Sequence, residues 1–138
     1  LRMDVDTAID HYNNLAKKVF SASKRWPGDG KFKATKLEEV IKSVVGDVTG
    51  DSEELLLELG DTSICRTFVC ARNAHDMNAN IPVFFRSYPS RETHSGCKIW
   101  EAARATSAAP TFFKRIEIGR AQPFIDGGLG RNNPSRVV

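Results

Sequence analysis

The chain has 138 residues, 41% of them apolar and 27% charged, with a formal net charge of +3, a balance that fits one globular domain and excludes disordered and fibrous classes. No apolar run approaches the roughly 18 residues of a membrane span, and no signal-peptide pattern opens the chain. Three cysteines, Cys65, Cys70 and Cys97, are too few and too unevenly spaced for a disulfide framework, so the expected setting is soluble and cytoplasmic.

The first element is a helix. Val5, Ala8, Ile9, Tyr12, Leu15, Ala16, Val19 and Phe20 recur at helical spacing, with Asp4 or Asp6 available as the cap. Residues 21–33 collect Pro27, Gly28 and Gly30 in a polar run and read as a surface loop. A second helix follows, with Leu37, Val40, Ile41, Val44 and Val45 on its apolar face and Gly46 near its end. Residues 50–61 are acidic and turn-rich around Leu55, Leu56 and Leu57, which predicts a short helical turn. Residues 65–71 are short, β-branched and aromatic, hence a strand, and residues 81–87 a second one, with Pro82 at its start. The polar stretch between them makes the two antiparallel neighbours.

Residues 97–108 read as a helix whose Ala102, Ala103 and Ala105 give it a thin surface able to approach another backbone, and Pro110 stops it. Residues 111–118 and 122–125 predict two further strands joined by Gly119, Arg120 and Ala121. The class is therefore mixed α/β. Charge is uneven along the chain: residues 1–69 hold ten Lys/Arg against twelve Asp/Glu, and residues 70–138 hold ten against five. The arginines of the basic half, among them Arg72, Arg86, Arg104, Arg115 and Arg131, are scattered singly. That pattern describes a solvated face and gives no basic-aromatic nucleic-acid motif.

The most informative stretch is Phe124-Ile125-Asp126-Gly127-Gly128-Leu129-Gly130-Arg131-Asn132-Asn133-Pro134. An apolar strand that ends in an acid and two glycines puts one carboxylate at a strand tip, on a backbone able to turn sharply. Alone it is also an ordinary turn, since Asp-Gly and Asn-Pro are routine turn formers. Context adds to it. Ile99-Trp100-Glu101-Ala102-Ala103-Arg104-Ala105-Thr106-Ser107-Ala108-Ala109-Pro110 followed by this stretch resembles the second half of the patatin-like phospholipase domain, in the family's order and separation, and the upstream segments resemble its fungal branch.

That resemblance implies a three-layer α/β/α fold around a central mixed sheet, of which residues 1–138 are a part truncated at both ends. It implies a lipid acyl hydrolase with a Ser-Asp dyad, in which a serine within G-x-S-x-G attacks the acyl ester and the aspartate takes its proton. Asp126 matches that general base, and Gly127, Gly128 and Pro110 match the residues that support the motif. A phospholipid or other acyl-ester lipid at a membrane surface is the implied partner, with the protein peripheral to membranes. No cofactor and no metal are implied. The pattern departs from the family in one respect: residues 1–138 contain no G-x-S-x-G and no glycine-rich oxyanion loop. Both are expected before Leu1, which makes the segment alone inactive by this mechanism. The alternative is a catalytically inactive remnant that binds lipid or a partner.

No other nucleophile replaces the missing serine. Ser95 lacks the flanking glycines of an elbow and reads as a helix cap, and Ser107 sits among small residues where packing or helix-end hydrogen bonding explains it. Cys65, Cys70 and His75 are spaced five apart, which no zinc pattern uses, so buried thiols are the better reading. His11 falls near the polar side of the first helix and is expected to be exposed.

Overall fold

The computed structural model describes residues 3–21, 30–57, 65–76, 81–91 and 96–128. The predicted cap Ser95 and residues 129–134 of the glycine-rich stretch lie outside these. Helix α1 (Val5–Phe20) begins at Asp4, whose Oδ1 accepts the Thr7 N–H at 2.9 Å and whose Oδ2 accepts the Thr7 hydroxyl at 2.6 Å. The cap satisfies an amide that a first helical turn leaves unpaired. Helix α2 (Ala34–Thr49) keeps Gly46 in its last turn and ends at Gly50, which is left-handed (φ 83°) and donates its N–H to the Gly46 carbonyl at 2.9 Å. Such an ending satisfies one of the carbonyls a helix leaves orphaned.

The leucine run after α2 is not the predicted helical turn. Leu55 forms an antiparallel bridge with Lys98, the Leu56 N–H bonds the Cys97 carbonyl at 2.9 Å, and the Ile99 N–H bonds the Glu54 carbonyl at 2.9 Å. Extended backbone satisfies these groups across two segments of the chain, and alternation sends Leu56 against the core while Leu55 faces solvent. Helix α3 (Ile99–Thr106) follows at once, its start held by the Lys98 N–H bonded to Glu101 Oε2 at 2.9 Å.

Among the described residues four strands form one sheet in the order β2-β1-β4-β3: β1 (Phe68–Asn73), β2 (Pro82–Arg86), β3 (Ile116–Ile118) and β4 (Gln122–Asp126). All three ladders are antiparallel, with Cys70 opposite Phe84 and Ala71 opposite Asp126. The fold is therefore α/β, with β1 and β2 paired as the sequence predicts. Strand β3 begins later than expected, because residues 109–113 turn instead: the N–H groups of Phe112 and Phe113 both bond the Ala109 carbonyl, at 3.1 and 3.0 Å. That turn places Phe113 in the helical core rather than in the sheet.

Two core clusters result. Ala71, Phe85, Ile116, Ile118 and Phe124 of the sheet pack against Ala102 and Ala105 of α3, so the alanines do give α3 the close approach their size allows. Val19, Phe32, Leu37, Val40, Ile41, Val45 and Phe113 form the second cluster between α1, α2 and the far side of α3. Trp100 touches both. The stacking order is α1 on α2, α2 on α3 and α3 on the sheet.

Candidate active site

Asp126 is the last residue of β4, half-buried, and by strand alternation it shares the α3 side of the sheet with Phe124. Two neighbouring backbones fix it. On one side it stands opposite Ala71 of β1. On the other its N–H donates to the Ala108 carbonyl at 3.0 Å, just past the end of α3. Ala105 and Ala108 are fully buried there, and any longer side chain would hold the two backbones apart. The family-like alanine block and the aspartate motif, distant in sequence, are thus joined by one hydrogen bond.

The glycines after Asp126 have separate steric reasons. A Cβ on Gly127 would lie 2.8 Å from the Cys70 carbonyl oxygen and 3.0 Å from the Cys70 Cβ. A Cβ on Gly128 would lie 3.2 Å from Asp126 Oδ1, which accepts the Gly128 N–H at 2.8 Å. One carboxylate oxygen is therefore held by the turn it precedes, and Oδ2 takes no hydrogen bond from the described residues. A carboxylate fixed at its backbone and at one oxygen presents the other oxygen in a defined direction, as a general base must. Pro110, expected as a supporting residue, lies inside the 109–113 turn, where a missing N–H costs nothing.

Arg104 is the residue that the sequence reading misplaced. It is 0% exposed, its Nε lies 3.4 Å from Glu38 Oε1 of α2, its Nη2 donates to the Lys114 carbonyl, and its guanidinium lies 5.7 Å from the Phe113 ring. Burial pulls its pKa below the ordinary arginine value and Glu38 opposes that pull. Arg104 thereby binds α3 to α2 and to the chain that leaves the 109–113 turn. Arg72, also expected on a solvated face, is buried in β1. For Arg104 the overlooked signal was position: it stands between Ala103 and Ala105 in the interior of a helix.

The remaining candidates do not converge on Asp126. Ser107 ends α3 with its N–H on the Ala103 carbonyl at 3.2 Å, in line with the helix-end role. Cys65 is exposed and precedes β1, Cys70 is buried in β1, and His75 is exposed with its N–H on Asn73 Oδ1 at 2.9 Å. The Cys97 thiol is pushed up to about 12 by burial, with Glu101 adding to the shift, so it stays protonated and unreactive near neutral pH. His11, expected to be exposed, is half-buried. Among the described residues no group of three or more His, Cys, Asp or Glu side chains could hold a metal ion, and no helix is long and apolar enough to cross a membrane.

An α/β fold that carries an aspartate at a strand tip before two closely packed glycines, hydrogen-bonded to the end of an alanine-rich helix, defines a recognisable class. The family model described as Patatin-like phospholipase matches residues 1–138, and the chain belongs to the patatin-like phospholipase family. It is 31% identical over 109 residues to the calcium-independent phospholipase A2-gamma of Rattus norvegicus, covering 73% of this chain and 13% of that protein. The Homo sapiens protein of the same name is 27% identical over 150 residues, covering 99% of this chain and 18% of that protein. A "Probable inactive patatin-like protein 9" of Arabidopsis thaliana is 28% identical over 126 residues, covering 87% of this chain and 29% of that protein. The chain thus spans under a third of the length of each of these relatives. No solved structure matches it significantly.

Proposed function

We propose that this chain is part of a serine-dependent lipid acyl hydrolase in which Asp126 is the general base of a Ser-Asp dyad. The serine would come from sequence outside residues 1–138, which contain no G-x-S-x-G. The observation that carries the reading is the fixation of Asp126 by Ala108 and Gly128, with Oδ2 uncommitted among the described residues. In this scheme the serine hydroxyl attacks the acyl carbonyl as Oδ2 accepts its proton. The proton passes to the departing alcohol, and water then releases the acyl group by the same route.

An oxyanion hole would stabilise the negative charge that develops on the acyl carbonyl oxygen, and a single donor of that kind contributes about 3–4 kcal/mol. The names of the mammalian relatives support a phospholipid as substrate and agree with a dyad that needs no calcium. The name of the Arabidopsis relative favours a second reading, a catalytically inactive protein that binds lipid or a partner.

One comparison separates the two readings: hydrolysis of a short-chain p-nitrophenyl ester by residues 1–138 and by a longer chain that includes a G-x-S-x-G segment, each with and without Asp126→Asn. Activity in the longer chain alone, lowered about a hundredfold or more by the substitution, is the expected result. A longer chain inactive in both forms favours the inactive reading. Activity unchanged by Asp126→Asn, or equal in the short chain, contradicts the dyad.

A further inference from the structure

The C-terminal end of α1 and the 109–113 turn meet in an aromatic ledge. Phe20 stacks edge-on to Phe32 with centroids 4.9 Å apart, and Phe32 lies parallel to Phe112 at 6.3 Å. Backbone bonds from Lys31 N–H to the Thr111 carbonyl and from Phe32 N–H to the Phe112 carbonyl, both 2.8 Å, fasten the two segments together. Phe32 is buried, but Phe20 and Phe112, which both pack on it, are 48% and 47% exposed, an unusual placement for two phenylalanines.

Among the described residues, the charged side chains next to these phenylalanines in sequence are basic. Lys31 and Lys33 flank Phe32, Lys114 and Arg115 follow Phe113, and all four side chains are exposed. The neighbouring acids of α2 are engaged elsewhere, Glu38 with Arg104 and Glu39 with Lys36 at 3.0 Å. Glu117 of β3 is the nearest acid in sequence beyond Arg115. The apolar stripe of α1 also exposes Val5, Ile9 and Tyr12, but that half stands among Asp4, Asp6 and Asp10 and lacks the same charge.

We propose that this ledge is the face on which the protein docks to an anionic lipid bilayer, with Phe20 and Phe112 entering the acyl boundary and Lys31, Lys33, Lys114 and Arg115 meeting the headgroup charge. Exposed aromatics beside lysine and arginine match the two contributions that hold proteins at such an interface, apolar burial and attraction to anionic lipid. The proposal rests on the reading of the substrate as a membrane lipid, and the geometry links the two. The Ala108 carbonyl holds the Asp126 N–H, the next residue's carbonyl holds the Phe112 N–H, and so the docking side chain and the candidate base are anchored to adjacent peptide units.

The test is co-sedimentation of the full-length protein with phosphatidylcholine vesicles that contain or lack phosphatidylserine. It is run in the Asp126→Asn background, so that lipid binding is read without hydrolysis and stands or falls separately from the dyad. The expected result is binding that requires phosphatidylserine and weakens with salt. Lys114→Gln/Arg115→Gln should weaken it about twenty- to thirtyfold with its melting curve unchanged, because both side chains are exposed, and Phe112→Ser should weaken it at every salt concentration. Wild-type binding by both variants, binding indifferent to phosphatidylserine, or no binding to either vesicle overturns the proposal. If one variant fails to melt like the parent, the other decides alone.

Discussion

At Gly127 the smallest possible addition meets the backbone of β1, since a methyl group would sit 2.8 Å from the Cys70 carbonyl oxygen. Neither partner is the end of a flexible side chain, so β1 or β4 would have to move. Gly127→Ala should therefore destabilise the fold by about 1–3 kcal/mol, measured by chemical denaturation, and an unchanged unfolding midpoint would contradict the close approach. The sequence suggested glycines for a sharp turn, whereas Gly127 is required by a neighbouring strand far away in the chain. Long-range pressure of this kind leaves no mark in local spacing. Arg104 teaches the same lesson from the other side: a charge that reads as solvated is fully buried because Glu38, the Lys114 carbonyl and the Phe113 ring converge on it from other elements.

Elements are joined at α2 and α3 by a single carboxylate. Glu53 Oε1 takes Lys42 Nζ at 2.6 Å, while Oε2 takes Lys98 Nζ at 2.6 Å and the Trp100 Nε1–H at 3.1 Å. Lys42 also lies 4.2 Å from the centre of the Trp100 ring, a cation–π contact that holds both side chains in place. The hydrogen bonds from Lys42, then Lys98, then Trp100 lower the Glu53 pKa from an ordinary 4.5 to about 2. Because the folded value lies below the unfolded one, the stabilisation is complete above about pH 4.5 and is lost as pH falls towards about 2. Solvent screening of these half-exposed side chains keeps it small. Glu53→Gln should therefore lower the melting temperature at neutral pH and bring the wild type and variant together as pH falls through that window. Parallel curves at every pH would contradict it. The positions of α1 and α2 were legible from 3.6-residue periodicity, and α3 (Ile99–Thr106) falls within residues 97–108, where its small residues and Pro110 put it. The extended pairing of Leu55 and Leu56 was not, because a short leucine run fits a helical turn or a strand equally well until its partner, the segment before α3, is known.

Across the whole molecule, both faces of the sheet are apolar in character. One face packs on α3, and the other carries Phe68 against Phe84 with centroids 5.7 Å apart and the Arg86 guanidinium 4.7 Å from the Phe84 ring. Strand alternation that buries side chains on both faces is what a layered α/β domain uses, so the α/β class could be read from the order of elements. The candidate site was legible as a motif, Asp126 with Gly127 and Gly128, but its anchoring to Ala108 was not, since a backbone carbonyl has no sequence signature. The proposed dyad would have Asp126 activate a serine supplied outside residues 1–138. The most direct measurement is the site and rate of labelling of the full-length protein by a fluorophosphonate, which reacts with activated serines, with and without Asp126→Asn. The expected result is one modified serine outside residues 1–138, labelled much more slowly in the variant although its melting temperature is unchanged. Label on Ser95 or Ser107, or labelling of the variant at the wild-type rate, would contradict it.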